Sequence, residues 1–151
     1  MADHCFKHDE YTEECVLCNA TYFDTSLLDI PDERIMCMPV GPVIEELVYR
    51  EVLGRDTKKL RSWKPISTSF DECESQLINA LADRNIKIRI VMGSGPYGQR
   101  RYTAKAEVRG AGSGPRNTPV LTDSRLPILV CRTSLLAAKM LLRHRETVGR
   151  A

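Results

Sequence analysis

The stretch Ser69–Val108, SFDECESQLINALADRNIKIRIVMGSGPYGQRRYTAKAEV, decides the fold, because a helix signal and two strand signals follow one another in it without overlap. Ser69-Phe70-Asp71-Glu72 forms a capping box, in which a hydroxyl and a carboxylate satisfy orphan backbone N–H groups reciprocally. Phe70, Cys73, Leu77, Ile78 and Leu81 then recur at helical spacing and predict one apolar face. After Arg84-Asn85 the period changes to two. Ile86, Ile88, Ile90 and Met92 alternate with Lys87, Arg89 and Val91, and Tyr102, Ala104, Ala106 and Val108 alternate with Arg101, Thr103, Lys105, Glu107 and Arg109. Two strands joined by a glycine-rich turn follow, with an apolar inner face and a cationic outer one.

Working outward, Gly41-Pro42 opens an earlier helix with proline in its first turn. Ile44, Leu47, Val48 and Val52 give its buried stripe, and Gly54 its C-terminal stop. Between Asn19 and Pro42 the prolines at 31, 39 and 42 interrupt any long element, so this part reads as a linker or lid. Lys58, Lys59, Arg61 and Lys64 surround the single tryptophan, Trp63, which reads as a core plug rather than a base-stacking platform. On the far side, Gly110 to Asn117 reads as a flexible loop and Thr118 to Leu121 as a short strand. The last helix runs from Ser124 or Arg125 to about Arg143, with Leu126, Ile128, Leu129, Val130, Leu135, Leu136, Ala138 and Leu142 as a broad apolar surface. Lys139, Arg143, His144 and Arg145 complement its dipole, and Glu146 to Ala151 is expected to fray.

The totals suit one main core with an appendage: 151 residues, 42% hydrophobic, enough to fold without disulfides. The division expected is an acidic knuckle segment and linker at 1–37 and a folded domain at 38–146. No stretch is apolar for the length of a bilayer, and Met1-Ala2-Asp3-His4-Cys5 lacks the layout of a signal peptide, so no membrane association is expected. Cys37, Cys73 and Cys131 are isolated along the chain, which fits a reduced compartment.

The net charge of +2 conceals a strong asymmetry. Residues 1–37 hold nine acids against Lys7 and Arg34, a net of −7, so the remainder carries +9. Between 84 and 116, eight bases face a single acid, Glu107. Such a division points to an anionic partner, or to an acidic segment lying on a basic surface of its own chain or a neighbour.

In the acidic part, Cys5, His8, Cys15 and Cys18 have the spacing C-x2-H-x6-C-x2-C, two close pairs that suit tetrahedral zinc. His4 could stand in for His8, but the Cys5–His8 interval matches Cys15–Cys18 better. Four protein ligands leave no position for water, so the zinc is expected to be structural, and it would supply the folding energy of so short a segment.

The turn Gly93-Ser94-Gly95-Pro96-Tyr97-Gly98 formally contains G-x-G-x-x-G. A strand follows it rather than a helix, which excludes a dinucleotide fold. The chain also lacks the other motifs of a kinase. Gly93, Gly95 and Gly98 remain a candidate phosphate loop, beside the plainer reading of a hairpin tip that needs unusual dihedrals. Lys87, Arg89, Arg100, Arg101, Lys105 and Arg109 form the candidate anion- or partner-binding surface, with a merely solvated strand face as the alternative.

The run Val43-Ile44-Glu45-Glu46-Leu47-Val48, the Leu53-Gly54 end, Trp63-Lys64-Pro65-Ile66-Ser67-Thr68, the strand pair, and Leu126-Pro127-Ile128-Leu129-Val130-Cys131-Arg132-Thr133-Ser134-Leu135-Leu136 together resemble the small phage proteins grouped as the phage ABA sandwich domain. The resemblance covers about two thirds of the chain, from Gly41 to Leu142, and its motifs are structural. It implies an α+β chain with a two- or three-layer α/β sandwich, and a bacteriophage origin. It brings no reaction and no catalytic residues. The arginine-rich hairpin and cysteine-rich front end are not features of that group.

No nucleophile with a base, open metal site or paired acids in a pocket is visible, so a non-catalytic protein is expected. The preferred reading is a phage accessory protein in the cytoplasm of the bacterial host, which binds and blocks a host component through the basic hairpin. That component could be a host protein or an anionic ligand, either nucleotide or nucleic acid. A zinc-containing nucleic-acid-binding protein is the alternative, weakened by Asp9, Glu10, Glu13 and Glu14 in the knuckle, which would repel phosphates. A self-assembling structural protein, a homo-oligomer whose knuckle docks on a neighbour's hairpin, is a third reading.

Overall fold

The computed structural model describes residues 26–55, 66–67, 74–109 and 114–149. The proposed zinc ligands Cys5, His8, Cys15 and Cys18, the Ser69–Glu72 capping box, Cys73, Trp63 with its neighbouring bases, and residues 110–113 lie outside them. Within the described residues the chain is α+β, a small antiparallel sheet packed by helices, as the change of period predicts.

The helix before the hairpin, α3 (Glu74–Asp83), ends on Asn85, whose φ of 61° is the left-handed conformation that asparagine tolerates better than most residues. The chain then turns into β1 (Ile86–Ser94) and returns as β2 (Arg100–Val108). Their register pairs Ile86 with Val108, Arg89 with Lys105 and Ser94 with Arg100. Five residues, Gly95–Gln99, make the turn.

β2 is the middle strand. Its other side carries a third strand in two pieces, β3 (Arg116–Asn117) opposite Val108 and Glu107, and β4 (Leu121–Asp123) opposite Ala104, Thr103 and Tyr102. Between the pieces, Thr118, Pro119 and Val120 face only Lys105 and Ala106, which is a bulge of one extra residue. Proline has no N–H for a ladder. Thr118 closes the gap, since its N–H donates to the Ala106 carbonyl at 2.9 Å and its Oγ1 accepts from the Ala106 N–H at 2.9 Å. The strand expected at Thr118–Leu121 is therefore displaced to either side of the proline.

The last helix, α4 (Leu126–Gly149), is the centre of the core and continues beyond the expected end at Arg143. It packs on β2 more extensively than on any other element. Ala104 and Ala106 carry only a methyl group each and are fully covered, which allows the helix to lie close over the middle strand. Thr133 and Ser134 are buried on it, and their hydroxyls donate to the Leu129 and Val130 carbonyls one turn back, so neither is left unsatisfied.

The part read as a linker belongs, from Ser26 onward, to this core. Ser26 caps a 3₁₀ turn at Leu27–Asp29, and α1 (Asp32–Met36) follows. Leu27, Ile30, Ile35 and Met38 are completely buried, each a side chain worth about 1.5–3 kcal/mol on removal from water. Prolines do break this segment into short pieces, but its apolar residues close over α4. Lys139 fixes it there: its Nζ donates to Asp32 Oδ1 at 2.6 Å and to the Ile30 carbonyl. Lys139 is thus a buried strap rather than a partner of the helix dipole.

α2 (Pro42–Glu51) begins with proline as expected, and Gly54, at φ +68°, lets the Arg55 N–H reach back to the Tyr49 carbonyl at 2.8 Å and close the helix end. Ile44, Leu47, Val48 and Val52 are buried as their spacing predicts. So are Glu45 and Glu46, two acids inside the same helix. Glu45 accepts from the Ser67 hydroxyl at 2.6 Å and from the Ser67 N–H at 3.3 Å, and the same hydroxyl accepts from the Gly41 N–H at 3.2 Å. Glu46 is joined to Arg50 one turn on, at 3.1 Å. Ile78, expected on the buried face of α3, is instead half exposed.

Candidate functional site

Residues directly opposite across a strand pair share one face of the sheet. By the β1–β2 register, Ile86 with Val108, Ile88 with Ala106, Ile90 with Ala104 and Met92 with Tyr102 lie on the inner face, toward α4. Lys87 with Glu107, Arg89 with Lys105, Val91 with Thr103 and Gly93 with Arg101 lie on the outer face. Arg109 continues the outer row beyond β2 and donates to Glu107 at 3.0 Å.

The outer face therefore gathers Lys87, Arg89, Arg101, Lys105 and Arg109 against the one carboxylate of Glu107. Lys87, Arg89, Arg101 and Lys105 make no ion pair among the described residues. Arg89 stands directly across from Lys105, and like charges so placed are unfavourable unless something neutralises them. No other described element packs over this face, and Lys87, Arg89, Val91 and Arg101 are exposed.

Arg100 does not join the other five. Opposite Ser94, it falls on the inner-face side at the turn end of the hairpin, where it lines a groove of 430 Å³ with Gln99, Arg101, Thr122, Ser124 and Arg125. The charge at the floor of that groove is balanced within the protein. Asp123 accepts from the Arg125 N–H at 2.8 Å and from Arg125 Nε at 3.1 Å, and faces Arg132 Nη1 at 3.1 Å. Burial alone would raise the Asp123 carboxyl, but the hydrogen bonds from Arg125 and the charges of Arg125 and Arg132 together hold it below the usual carboxylate range. Burial lowers the Arg132 guanidinium, and Asp123 offsets part of that.

The glycine-rich turn is occupied with its own structure. The Gly95 N–H donates to the Gln99 carbonyl at 2.7 Å, the Gly98 N–H to the Gly95 carbonyl at 3.0 Å, and the Tyr97 N–H to the Gln99 side chain at 2.9 Å. Gly98 has φ +79°, a conformation that explains its glycine without a ligand. Gly93 is an exposed strand residue. Three N–H groups that a phosphate would require at this tip are thus already engaged.

Sequence periodicity missed one feature of the hairpin. Ile90 and Met92 have the inward parity, yet they are 41% and 62% exposed, and Val91 between them is 65% exposed. The reason is geometric: α4 lies over β2 and α3 stands beside the start of β1, so the far half of β1 extends past both helices. Beneath it, a groove of 380 Å³ runs between α3 and the strand.

Among the described residues no three His, Cys, Asp or Glu side chains converge on one point, and no helix is long and apolar enough to cross a membrane. Among the described residues the buried ionic groups are engaged within the fold, with Glu45 on Ser67, Glu46 on Arg50, Lys139 on Asp32 and Arg132 on Asp123. Compared with known proteins, the chain matches no family model, no curated protein and no solved structure.

Proposed function

We propose that this chain is a non-catalytic binding protein that seats an acidic partner on the outer face of its sheet. The observation that carries the reading is Arg89 set directly opposite Lys105, within a row of five cations and one acid on a face that no other described element covers. A sheet that keeps cations facing each other forgoes stability, on the order of 0.2–1 kcal/mol for the pair, and an anionic partner would recover it. The resemblance to phage ABA sandwich proteins supplies the setting: a bacteriophage accessory protein with an α/β sandwich and an N-terminal zinc knuckle at Cys5, His8, Cys15 and Cys18. In that setting the partner is a component of the host cell, blocked by being bound. An acidic protein surface suits this face better than a nucleic acid, because its strand residues offer cations, threonines and Val91 but no aromatic ring on which a base could stack, the exposed Tyr97 standing apart in the turn.

The test is binding of labelled polyglutamate, single-stranded DNA and RNA to the full-length protein at low salt. An Arg101→Glu/Lys105→Glu variant, altered on β2 only, serves as the comparison. Polyglutamate is expected to bind, to weaken at least about tenfold in the variant, and to weaken as salt screens the charges. Failure of every polyanion to bind at low salt would overturn the reading. Nucleic acid bound more tightly than polyglutamate, through the same two residues, would replace the protein partner with a nucleic acid.

A further inference from the structure

Among the described residues β1 pairs with β2 alone, so its other edge carries a row of unpaired N–H and C=O groups. The two sides of that edge differ in chemistry. On the inner side, Ile78, Leu81, Ile86, Ile88, Ile90 and Val130 give the 380 Å³ groove an apolar wall, and Lys87 and Arg109 also line it. On the outer side stand Lys87 and Arg89, both exposed and both without an ion pair among the described residues. A strand laid beside β1 would lie about 4.8 Å away, with its side chains alternating between these two sides.

We propose that the free edge of β1 receives an extended segment of the partner protein by strand addition. Alternate residues of the segment are apolar, seated in the groove over Ile88 and Ile90, and the residues between them are acidic, beside Lys87 and Arg89. Main-chain pairing supplies the attachment and the alternation supplies the selectivity. This rests on the outer face being the anion-binding surface, and adds the kind of segment and the way it is held. A second copy of this chain fits the edge less well. Pairing two β1 strands about Ile88 sets Lys87 against Arg89, and pairing them about Arg89 sets that residue against itself. Pairing about Ile90 avoids direct opposition but lines four cations along adjacent strands. Lys87 and Arg89 thus discourage self-association while attracting an acidic strand.

The experiment measures binding of three labelled nine-residue peptides to the full-length protein, with polyglutamate as the reference. The first alternates Glu and Val, and the other two carry the same side chains with backbone N-methyl groups at every second residue, in one register or the other. Strand addition uses a single edge of the peptide, so one methylated peptide is expected to lose at least tenfold in affinity while the other binds like the parent. Ile90→Ser is expected to weaken the parent peptide several-fold and leave polyglutamate unchanged. If both methylated peptides bind like the parent, or if polyglutamate binds and the Glu-Val peptide does not, strand addition is overturned and the cationic face stands. If nothing acidic binds, both readings fall. A dimeric mass that the Glu-Val peptide does not dissociate would also overturn the proposal, in favour of a second copy on the edge.

Discussion

Arg132 on α4 reaches Asp123 at the end of β4, with Nη1 3.1 Å from Oδ2, and its Nε donates to the Met38 carbonyl at 2.9 Å. One side chain thus ties the sheet and the N-terminal segment to the central helix. The guanidinium and the carboxylate are only 11% and 14% exposed. Replacing Arg132 with Met is expected to lower stability by about 1–3 kcal/mol, because the Met38 carbonyl loses its donor and the covered Asp123 carboxylate is left with Arg125 alone. The exposed pair Arg109–Glu107 gives the contrast, with Arg109→Ala changing stability by no more than about 0.5 kcal/mol. Urea unfolding midpoints at unchanged slope would check both.

The same site predicts an acid dependence. Asp123 is held below its ordinary value of 3.8, so the folded state favours its ionised form more than the unfolded state does. Its contribution to stability is complete above that ordinary value and is lost as the pH falls through the lower, folded-state value. Asp123→Asn is expected to flatten the stability profile below about pH 4 and to leave its shape near neutrality unaltered. Parallel thermal denaturation of the two proteins across acid pH would reveal a steeper decline in the parent.

Lys139 predicts a local effect. Lys139→Met keeps the aliphatic bulk but leaves the Ile30 carbonyl and Asp32 without their ammonium, at a cost of about 1–3 kcal/mol. Because Asp32 is partly exposed, most of that cost falls on the carbonyl. Amide hydrogen exchange should accelerate first at residues 27–38 and only later in the sheet. Uniform acceleration would show that the segment does not detach separately.

Arg89 predicts opposite changes in stability and binding. Arg89→Thr removes one of two facing cations and places a good strand residue there, so stability is expected to rise by about 0.2–1 kcal/mol at low salt. The gain should shrink as salt is added. Affinity for polyglutamate should fall in the same variant. A loss of stability instead would mean that the facing cations are neutralised within the chain.

The proposed zinc knuckle predicts a stoichiometry. One zinc per chain is expected in native mass spectra, with loss of the metal in a Cys15→Ser/Cys18→Ser variant. Zinc retained by that variant would refute the proposed ligand set.

Much of the fold was legible where the signal is local. The period-two runs at Ile86–Met92 and Tyr102–Val108 pair in the register that their alternation requires, and Gly41-Pro42 and Gly54 bound a helix. What escaped depends on partners far along the chain. Glu45 is buried because Ser67, 22 residues away, donates to it twice, and no helical periodicity carries that information. Lys139 looked like a dipole partner because its acid, Asp32, sits in a segment whose prolines suggested a linker. Alternation assigned Ile90 and Met92 to a face but could not say that the helices stop short of them. At the candidate site the cations were evident, while the separation of Arg100 follows from parity alone, Ser94 being its cross-strand neighbour.

The strap between Lys139 and Asp32 joins positions 107 residues apart. During synthesis, the strap to the segment at 26–38 must wait until α4 has left the ribosome at least as far as Lys139. Local helices and the hairpin can form early, whereas closure of this long loop is expected to come late. Until then Leu27, Ile30, Ile35 and Met38 lack the cover they have in the folded chain, and a chaperone that shields apolar segments would be expected to protect them.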